Sequence, residues 1–465
     1  MRSARGVREG PAREGASRAG RNRQVAAWAQ YGAAAHGWQA PVAAVLIGPW
    51  LLSLATNAVG KHGVLIDLGP FHLRAAAYPS AMLTVAAVLQ LLMLPVLGAA
   101  ADAGAAKRRW LQVGCGAGSV VCALLALTGG SLWLLAGLVF LAGSALSSVT
   151  DLIWNAMLPE LAESDGLDTV SSRGAAIGYL GAGVILALEL AFLNARGVFG
   201  LSKPTAVRLC FVVAAVWWAG IGLTAIRRLN PPLRLRTSDG AIGSGRAPGP
   251  FAQLATGYRL LAQMPQTRRF VVAYICFGDA VSSVISLSST YLTHELFGNS
   301  ASRASTFLFA LILMVQFVAI AGALLFTRLA HRVGTKGAIL ANLVVWFAVI
   351  AFAYAVLSSK AEAVVMGVVL ALALGGSTAL ARSLFSRMIP AGCEATFFAL
   401  FEVCSAGTSW LAPLIFTVVV NATGSFRQGI LSLMALFVAG FLLLRRADTA
   451  EAEREAARVR TVQAR

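Results

Sequence analysis

Gly98-Ala-Ala-Ala-Asp102-Ala-Gly104-Ala-Ala-Lys107-Arg108-Arg109 closes one long apolar run and opens the next. The stretch has an echo in the second half of the chain, Thr327-Arg-Leu-Ala-His331-Arg332-Val-Gly334-Thr-Lys336, again between two apolar runs. In each copy a small residue is followed four positions on by an acid or a histidine, then by glycine and bases. The pattern reads as a tight turn between two helices, with a charge that can dock on a neighbouring helix terminus. Asp102 aligns with His331 at an offset of 229 residues, so the chain reads as two related halves.

Outward from these loops, apolar runs long enough to cross a bilayer recur along the whole sequence. They predict about twelve transmembrane helices. In the first half the spans are 34–58, 76–101, 110–129, 131–157, 174–196 and 204–226. In the second they are 270–296, 304–330, 337–357, 360–387, 396–420 and 426–445. Composition agrees: 58% of the residues are hydrophobic and 12% charged, with a mean hydropathy of +0.73. A soluble chain of this length needs more polar side chains to cover its surface. The expected fold is therefore an all-α membrane protein of two pseudo-symmetric six-helix halves.

The net charge of +18 would point to nucleic acid in a soluble protein, but here the bases lie mainly between apolar runs. They read as topology signals and contacts to anionic lipid. With both termini cytoplasmic, about 29 Lys and Arg fall on the cytoplasmic side and about eight on the other. The expected organisation is a disordered basic tail over 1–24, a helical half over 25–226, a basic cytoplasmic linker over 227–269, a second half over 270–446 and a cytoplasmic tail over 447–465. The tail after Asp448 alternates Glu and Arg as a short soluble helix would, and it reads as a solvated end. The first residues lack the apolar core of a secretory signal, and Glu9 and Glu14 weigh against a transit peptide. The excess of Arg over Lys fits a GC-rich bacterial genome, hence a bacterial cytoplasmic membrane. The six cysteines have no metal or redox spacing, so neither a disulfide framework nor a metal site is expected. None of the five histidines is spaced as a ligand, and no Gly-x-x-x-x-Gly-Lys loop is present. This argues against an intramembrane enzyme and against ATP as the driver. The expected partners are the bilayer, a small solute and protons, with no cofactor and no nucleic acid, in a monomer.

The turn motif and its repetition resemble the major facilitator superfamily, and further segments resemble one branch of it. These are Trp154-Asn-Ala-Met-Leu-Pro-Glu-Leu161, Val170-Ser-Ser-Arg-Gly174 with Gly178-Tyr-Leu-Gly181, and Ala381-Arg-Ser-Leu-Phe-Ser-Arg-Met-Ile-Pro390. Phe397-Phe-Ala-Leu-Phe-Glu402 and Gly407-Thr-Ser-Trp-Leu-Ala-Pro413 complete the set. Together they are similar to the vacuole-effluxer-like, autophagy-related branch, whose fungal members are associated with amino-acid export from the vacuole. The resemblance implies a secondary transporter working by alternating access, with amino-acid efflux as the leading substrate class. A drug or sugar transporter, or a non-transporting receptor or scaffold of the same fold, is the alternative. The chain departs from the branch at Tyr31-Gly-Ala-Ala-Ala-His36, where the family carries an acid and an amide. It departs again at Gly278-Asp279-Ala280, for Asn-Asp-Gly, and at Ala406, for a base.

Few charges fall inside the spans: Asp151, Glu189, Asp279, Arg382 and Glu402. A charge at the bilayer centre costs on the order of 3 kcal/mol, so each needs a partner, a proton or a wet cavity. Asp279 and Glu402 are the candidates for handling solute or protons. Asn155, Tyr179, Phe277 and Trp410 are candidate cavity residues beside them. Glu189 is expected to pair, or to snorkel from the end of its helix. The 229-residue offset carries Asp151 to position 380, two residues from Arg382. These two are therefore expected to meet across the halves as a gate.

Overall fold

The computed structural model describes residues 11–60, 63–68, 71–103, 107–229, 250–298, 301–408 and 410–463. The first crossing is α1 (Pro11–Trp38), which passes through a π-helical turn (Gln39–Leu46) into α2 (Ile47–Val59). Pro41 lies in that turn, where its missing N–H interrupts the backbone ladder. A small antiparallel hairpin of β1 (Val64–Leu68) and β2 (Phe71–Arg74) follows. The hairpin is the one departure from an all-α reading among the described residues. Next come α3 (Tyr78–Ala103), α4 (Lys107–Leu124), α5 (Trp133–Ala156), the short α6 (Leu158–Leu161), α7 (Leu167–Ala195) and α8 (Lys203–Arg228).

The second half opens with α9 (Pro250–Ala262) and continues with α10 (Pro265–Phe297), α11 (Ala301–Val333), α12 (Thr335–Ala355) and α13 (Lys360–Arg387). It ends with α14 (Glu394–Thr408), α15 (Leu411–Thr423), α16 (Phe426–Ser432), α17 (Met434–Arg446) and α18 (Thr449–Gln463). Among the described residues, 11 helical stretches are long and apolar enough to cross a membrane. The predicted span 396–420 is occupied by α14 and the shorter apolar α15, with residue 409 outside the described residues.

Small residues let the helices approach closely. A Cβ on Gly98 would meet the carbonyl oxygen of Ala395 at 2.6 Å and Cβ of Ala399 at 2.7 Å. The first residue of the opening motif is thus a point of contact between α3 and α14, and Asp102 lies one turn further along the same helix face. Gly334 has φ +78, which an L side chain rarely adopts, and it turns the chain from α11 into α12. The two halves meet where α3 packs on α14 and α7 packs on α11 and α13, and the ends of these helices nearest the termini form one face of the bundle. We refer to this as the terminus-side face.

Three sequence expectations change here. Residues 11–24, read as part of a disordered tail, belong to α1; their charges hide the helix from a hydropathy reading, and residues 1–10 lie outside the described residues. In the linker, 230–249 lies outside the described residues, but 250–262 and 265–269 are helical. The C-terminal tail is a docked helix instead of a solvated end. Ala452 and Ala456, one turn apart, are buried against the bundle. Glu455 accepts from the backbone amides of Gln266 (3.2 Å) and Thr267 (3.4 Å). It thus caps the N-terminus of α10, where Pro265 has no amide to offer.

A pH dependence follows from Glu453 on the same helix. Burial pushes its carboxyl above the ordinary value; Arg387 opposes this, while Asp165 and Asp168 add to it. A raised pKa in the docked state means that docking is strongest below the ordinary value and weakens as pH rises through the raised one. Protease protection of 449–463 is therefore expected to fall between acid and neutral pH, and Glu453→Gln to flatten that dependence. An unchanged profile in the variant would remove Glu453 from the effect.

Candidate functional site

Trp28 on α1 and Trp154 on α5 stack at 4.4 Å. Each indole N–H donates to the other residue's carbonyl oxygen, at 2.8 and 2.9 Å. This reciprocal pair fixes α1 to α5. On the Trp154 ring lies the guanidinium of Arg382 from α13, 4.5 Å from the centroid. Arg382 also donates to Asn155 Oδ1 at 3.1 Å. Two aromatic residues and a guanidinium therefore form one stack that joins the halves.

Above the stack is a cavity of about 330 Å³ between the halves. The first half contributes His36 and Gln39, then Gln90 of α3, Asp151 and Asn155 of α5, and Tyr179 of α7. The second half contributes Tyr274 of α10, Thr378 and Arg382 of α13, and Phe401 and Glu402 of α14. Asp151 accepts a short hydrogen bond from Gln39 Nε2. His36 Nδ1 lies 2.7 Å from the carbonyl oxygen of Gly32, a contact in which Nδ1–H donates. Tyr179 Oη is 3.3 Å from Thr378 Oγ1, across the halves. Tyr274 stacks on Phe401 at 4.0 Å. A second space, sharing Gln39, Gln90, Ser148 and Asp151, continues along α3 and α5 away from the terminus-side face.

Below the cavity the terminus-side face is shut by two clasps. In the first, the Asp102 carboxylate accepts from the amides of Ala395 (2.9 Å) and Thr396 (2.7 Å) and from Thr396 Oγ1 (2.8 Å). This is a negative charge docked on the N-terminus of α14. Lys107 lies among Glu160 (2.7 Å), Glu394 (3.1 Å) and Asp102 (3.8 Å). In the second, Asp168 of α7 accepts from Thr335 Oγ1 (2.6 Å), Ser383 Oγ (2.5 Å) and Arg387 Nη2 (2.8 Å). Nearby, His331 Nε2 is 3.2 Å from Thr169 Oγ1. Arg108 donates to the carbonyl of Ile226 at the end of α8, and Lys336 to those of Arg445 and Ala447 at the end of α17. A base of each motif copy thus holds a helix C-terminus, although Lys336 aligns with Lys107 and not with Arg108. Arg109 and Arg332 are exposed, and Gly104 lies outside the described residues.

Of the candidates read from sequence, the cavity gathers Asp151, Asn155, Tyr179, Arg382 and Glu402. It does not gather Asp279, Phe277 or Trp410. Asp279 was expected on a cavity-lining face; instead its carboxylate accepts from the amide of Ala412 at 3.0 Å, at the start of α15. Phe277 is buried against Gly440 of α17. Trp410 is 60% exposed on the outer surface. The expected gate pair shares the cavity without an ion pair between its members, because Arg382 is engaged by Asn155 and Trp154 and Asp151 by Gln39. The halves are held closed instead by Asp102, which joins α3 to α14, and by Asp168, which joins α7 to α12 and α13.

Sequence reasoning missed His36, Gln39, Tyr274 and Asp168. Only His36 left a signal, as the polar residue ending the stretch where the family pattern breaks. Glu189 also departs from expectation. It is 3% exposed, and neither carboxyl oxygen has a hydrogen-bond partner among the described residues. A charge at such a place costs roughly 3 kcal/mol. Glu189→Gln, which keeps the shape and removes the charge, is expected to hold or raise the melting temperature in detergent, by ~2–4 °C for each kcal/mol gained. A fall of that size would show that the carboxylate is needed for stability.

The sequence profile of the family described as "Vacuole effluxer Atg22 like" matches residues 20–457. The chain belongs to that family. The uncharacterized MFS-type transporter YxiO of Bacillus subtilis (strain 168) is 23% identical over 373 residues, covering 80% of this chain and 84% of that protein. Autophagy-related protein 22 of Yarrowia lipolytica is 26% identical over 321 residues, covering 63% of this chain and 52% of that protein. The chain thus spans about half the length of this fungal relative. Among solved structures, the Escherichia coli fucose:proton symporter FucP superposes with a TM-score of 0.68 at 11% identity, over 92% of this chain and 98% of that one. The proton:xylose symporter XylE gives 0.64 at 13% identity, over 91% and 95%. This Atg22-like chain therefore has the major facilitator fold. It is an integral membrane transporter and not an enzyme.

Proposed function

We propose that this transporter exports a small zwitterionic solute of the amino-acid class, in exchange for protons, from a cytoplasm that faces the terminus-side face. The observation that carries the reading is one intramembrane cavity holding a guanidinium, Arg382, together with two carboxyls, Asp151 and Glu402. A zwitterion fits such a set: its carboxylate is drawn to Arg382 and its ammonium to the acids, and each charge offsets the desolvation of its partner. A neutral sugar makes no use of fixed charges of both signs, and a cavity of about 330 Å³ has room for a small solute. Asn155 and Tyr179 are the neutral groups that would orient it.

The charge balance supports proton exchange. Two acids face one guanidinium, so one negative charge lacks a counter-charge, and either a proton or the solute's ammonium supplies it. An acid that takes one or the other couples their flows in opposite directions. The closed terminus-side face is then the outward-open state of the cycle. The base asymmetry of the sequence supports the sidedness.

Purified protein in proteoliposomes preloaded with unlabelled amino acids should accumulate labelled amino acid by counterflow. A pH gradient, acid on the side away from the termini, should drive net movement. Counterflow of sugars but not amino acids would overturn the substrate class. Counterflow indifferent to an imposed pH gradient would overturn the coupling.

A further inference from the structure

The helix α9 sits directly behind the first clasp. Its inner face carries Leu254, Gly257, Leu260 and Leu261, of which Gly257 is buried. A Cβ there would meet Thr396 Cγ2 at 2.5 Å and Leu400 Cδ1 at 3.8 Å. Thr396 is the residue whose amide and hydroxyl are held by Asp102. So α9 packs against the back of the contact that closes the terminus-side face, and it also lies along α3.

The outer face is unlike that of a helix in water. Phe251 is 74% and Tyr258 68% exposed, and Ala255, Arg259 and Ala262 continue the same stripe at helical spacing. One turn into α10, Arg268 and Arg269 are exposed as well. The segment 250–269 contains three arginines and no acid. Val272, the next residue on that side of α10, is 42% exposed in an apolar span. Arg268 and Arg269 therefore stand where headgroups give way to hydrocarbon, and α9 is continuous with the lipid-facing surface. Aromatic rings with interspersed bases at that level suit an anionic bilayer surface.

We propose that α9 lies in the headgroup layer and that anionic lipid, by holding it there, stabilises the closed state of the terminus-side face. Lipid that engages α9 equally in both conformations would shift nothing. The coupling comes from the place of α9, which packs on both α3 and α14, the two helices that Asp102 joins across the halves.

The test uses the full chain in nanodiscs of phosphatidylcholine alone, or of phosphatidylcholine with an equal part of phosphatidylglycerol. A nitroxide on Ala255→Cys should be relaxed by oxygen and shielded from a water-soluble nickel chelate in both lipids. A label that is open to the chelate in both would place the stripe in water, free for a soluble partner, and would overturn the proposal. Spin labels on Arg109→Cys and Arg332→Cys, exposed residues of opposite halves, report closure by their separation. Phosphatidylglycerol should raise the ratio of closed to open by about fivefold. Arg259→Gln with Arg268→Gln and Arg269→Gln should abolish that difference while leaving the ratio in phosphatidylcholine as it was. An equal ratio in the two lipids for the parent chain would sink the coupling, whether or not the protein moves amino acids.

Discussion

Asp102→Ala is expected to open the terminus-side face. The carboxylate accepts three hydrogen bonds from the first turn of α14, at 2.7–2.9 Å. Hydrogen bonds to a charged acceptor contribute about 1.5–3 kcal/mol each when formed in place of water, and the helix N-terminus adds to the attraction. Part of this is recovered on opening, because the freed amides and the carboxylate regain water. A net loss of about 3 kcal/mol for the closed state is a reasonable scale, equivalent to roughly a hundredfold in the ratio of closed to open. Asp102→Asn keeps an acceptor oxygen but no charge, and it should fall between parent and alanine. Spin-label distances between the halves on this face measure the ratio directly. Distributions that stay the same in Asp102→Ala would mean that the Asp168 clasp alone holds the halves together.

The second large effect is expected at Arg382. Its guanidinium lies over the Trp154 ring and donates to Asn155, and it lines the cavity where a solute carboxylate would bind. Lysine keeps the charge but has neither the planar surface for the ring nor the fork for two parallel bonds. Arg382→Lys is expected to lower kcat/KM for amino-acid exchange by about a hundredfold, mostly through KM, as for a charged partner removed from a buried pair. Arg382→Ala should abolish exchange, since it leaves Asp151 and Glu402 facing each other without a counter-charge. Retention of parental KM in Arg382→Lys would remove Arg382 from solute binding. Melting temperature controls for the structural part of the effect, because Trp154 still has Trp28 to stack on.

The membrane class, the two halves and the docking role of Asp102 were legible in the sequence, because they rest on hydropathy and on a repeated local motif. Apolar runs report their own length, and Gly98 and Asp102 sit one turn apart whatever surrounds them. The depth of a residue was legible too: Asp151, Arg382 and Glu402 had to be intramembrane. Which way each points was not, because direction depends on helix rotation within the bundle. Asp279 has the depth of a cavity residue but faces the start of α15. Asp168 begins α7 outside the predicted span 174–196, so it drew no attention as a buried charge. The docked C-terminal helix was hidden because Ala452, Ala456 and Glu455 carry too little hydropathy to register among the surrounding charges.

The two anchors of the eleventh crossing have a mechanical consequence. Asp102 holds the first turn of α14 at its terminus-side end, and Asp279 holds the amide of Ala412 at the start of α15. The first tie joins the halves, because Asp102 belongs to α3, whereas the second lies within one half, because Asp279 belongs to α10. Loss of the first frees one end of the crossing from the partner half and leaves its middle bound to its own, so Asp279 sets the point about which that end can turn.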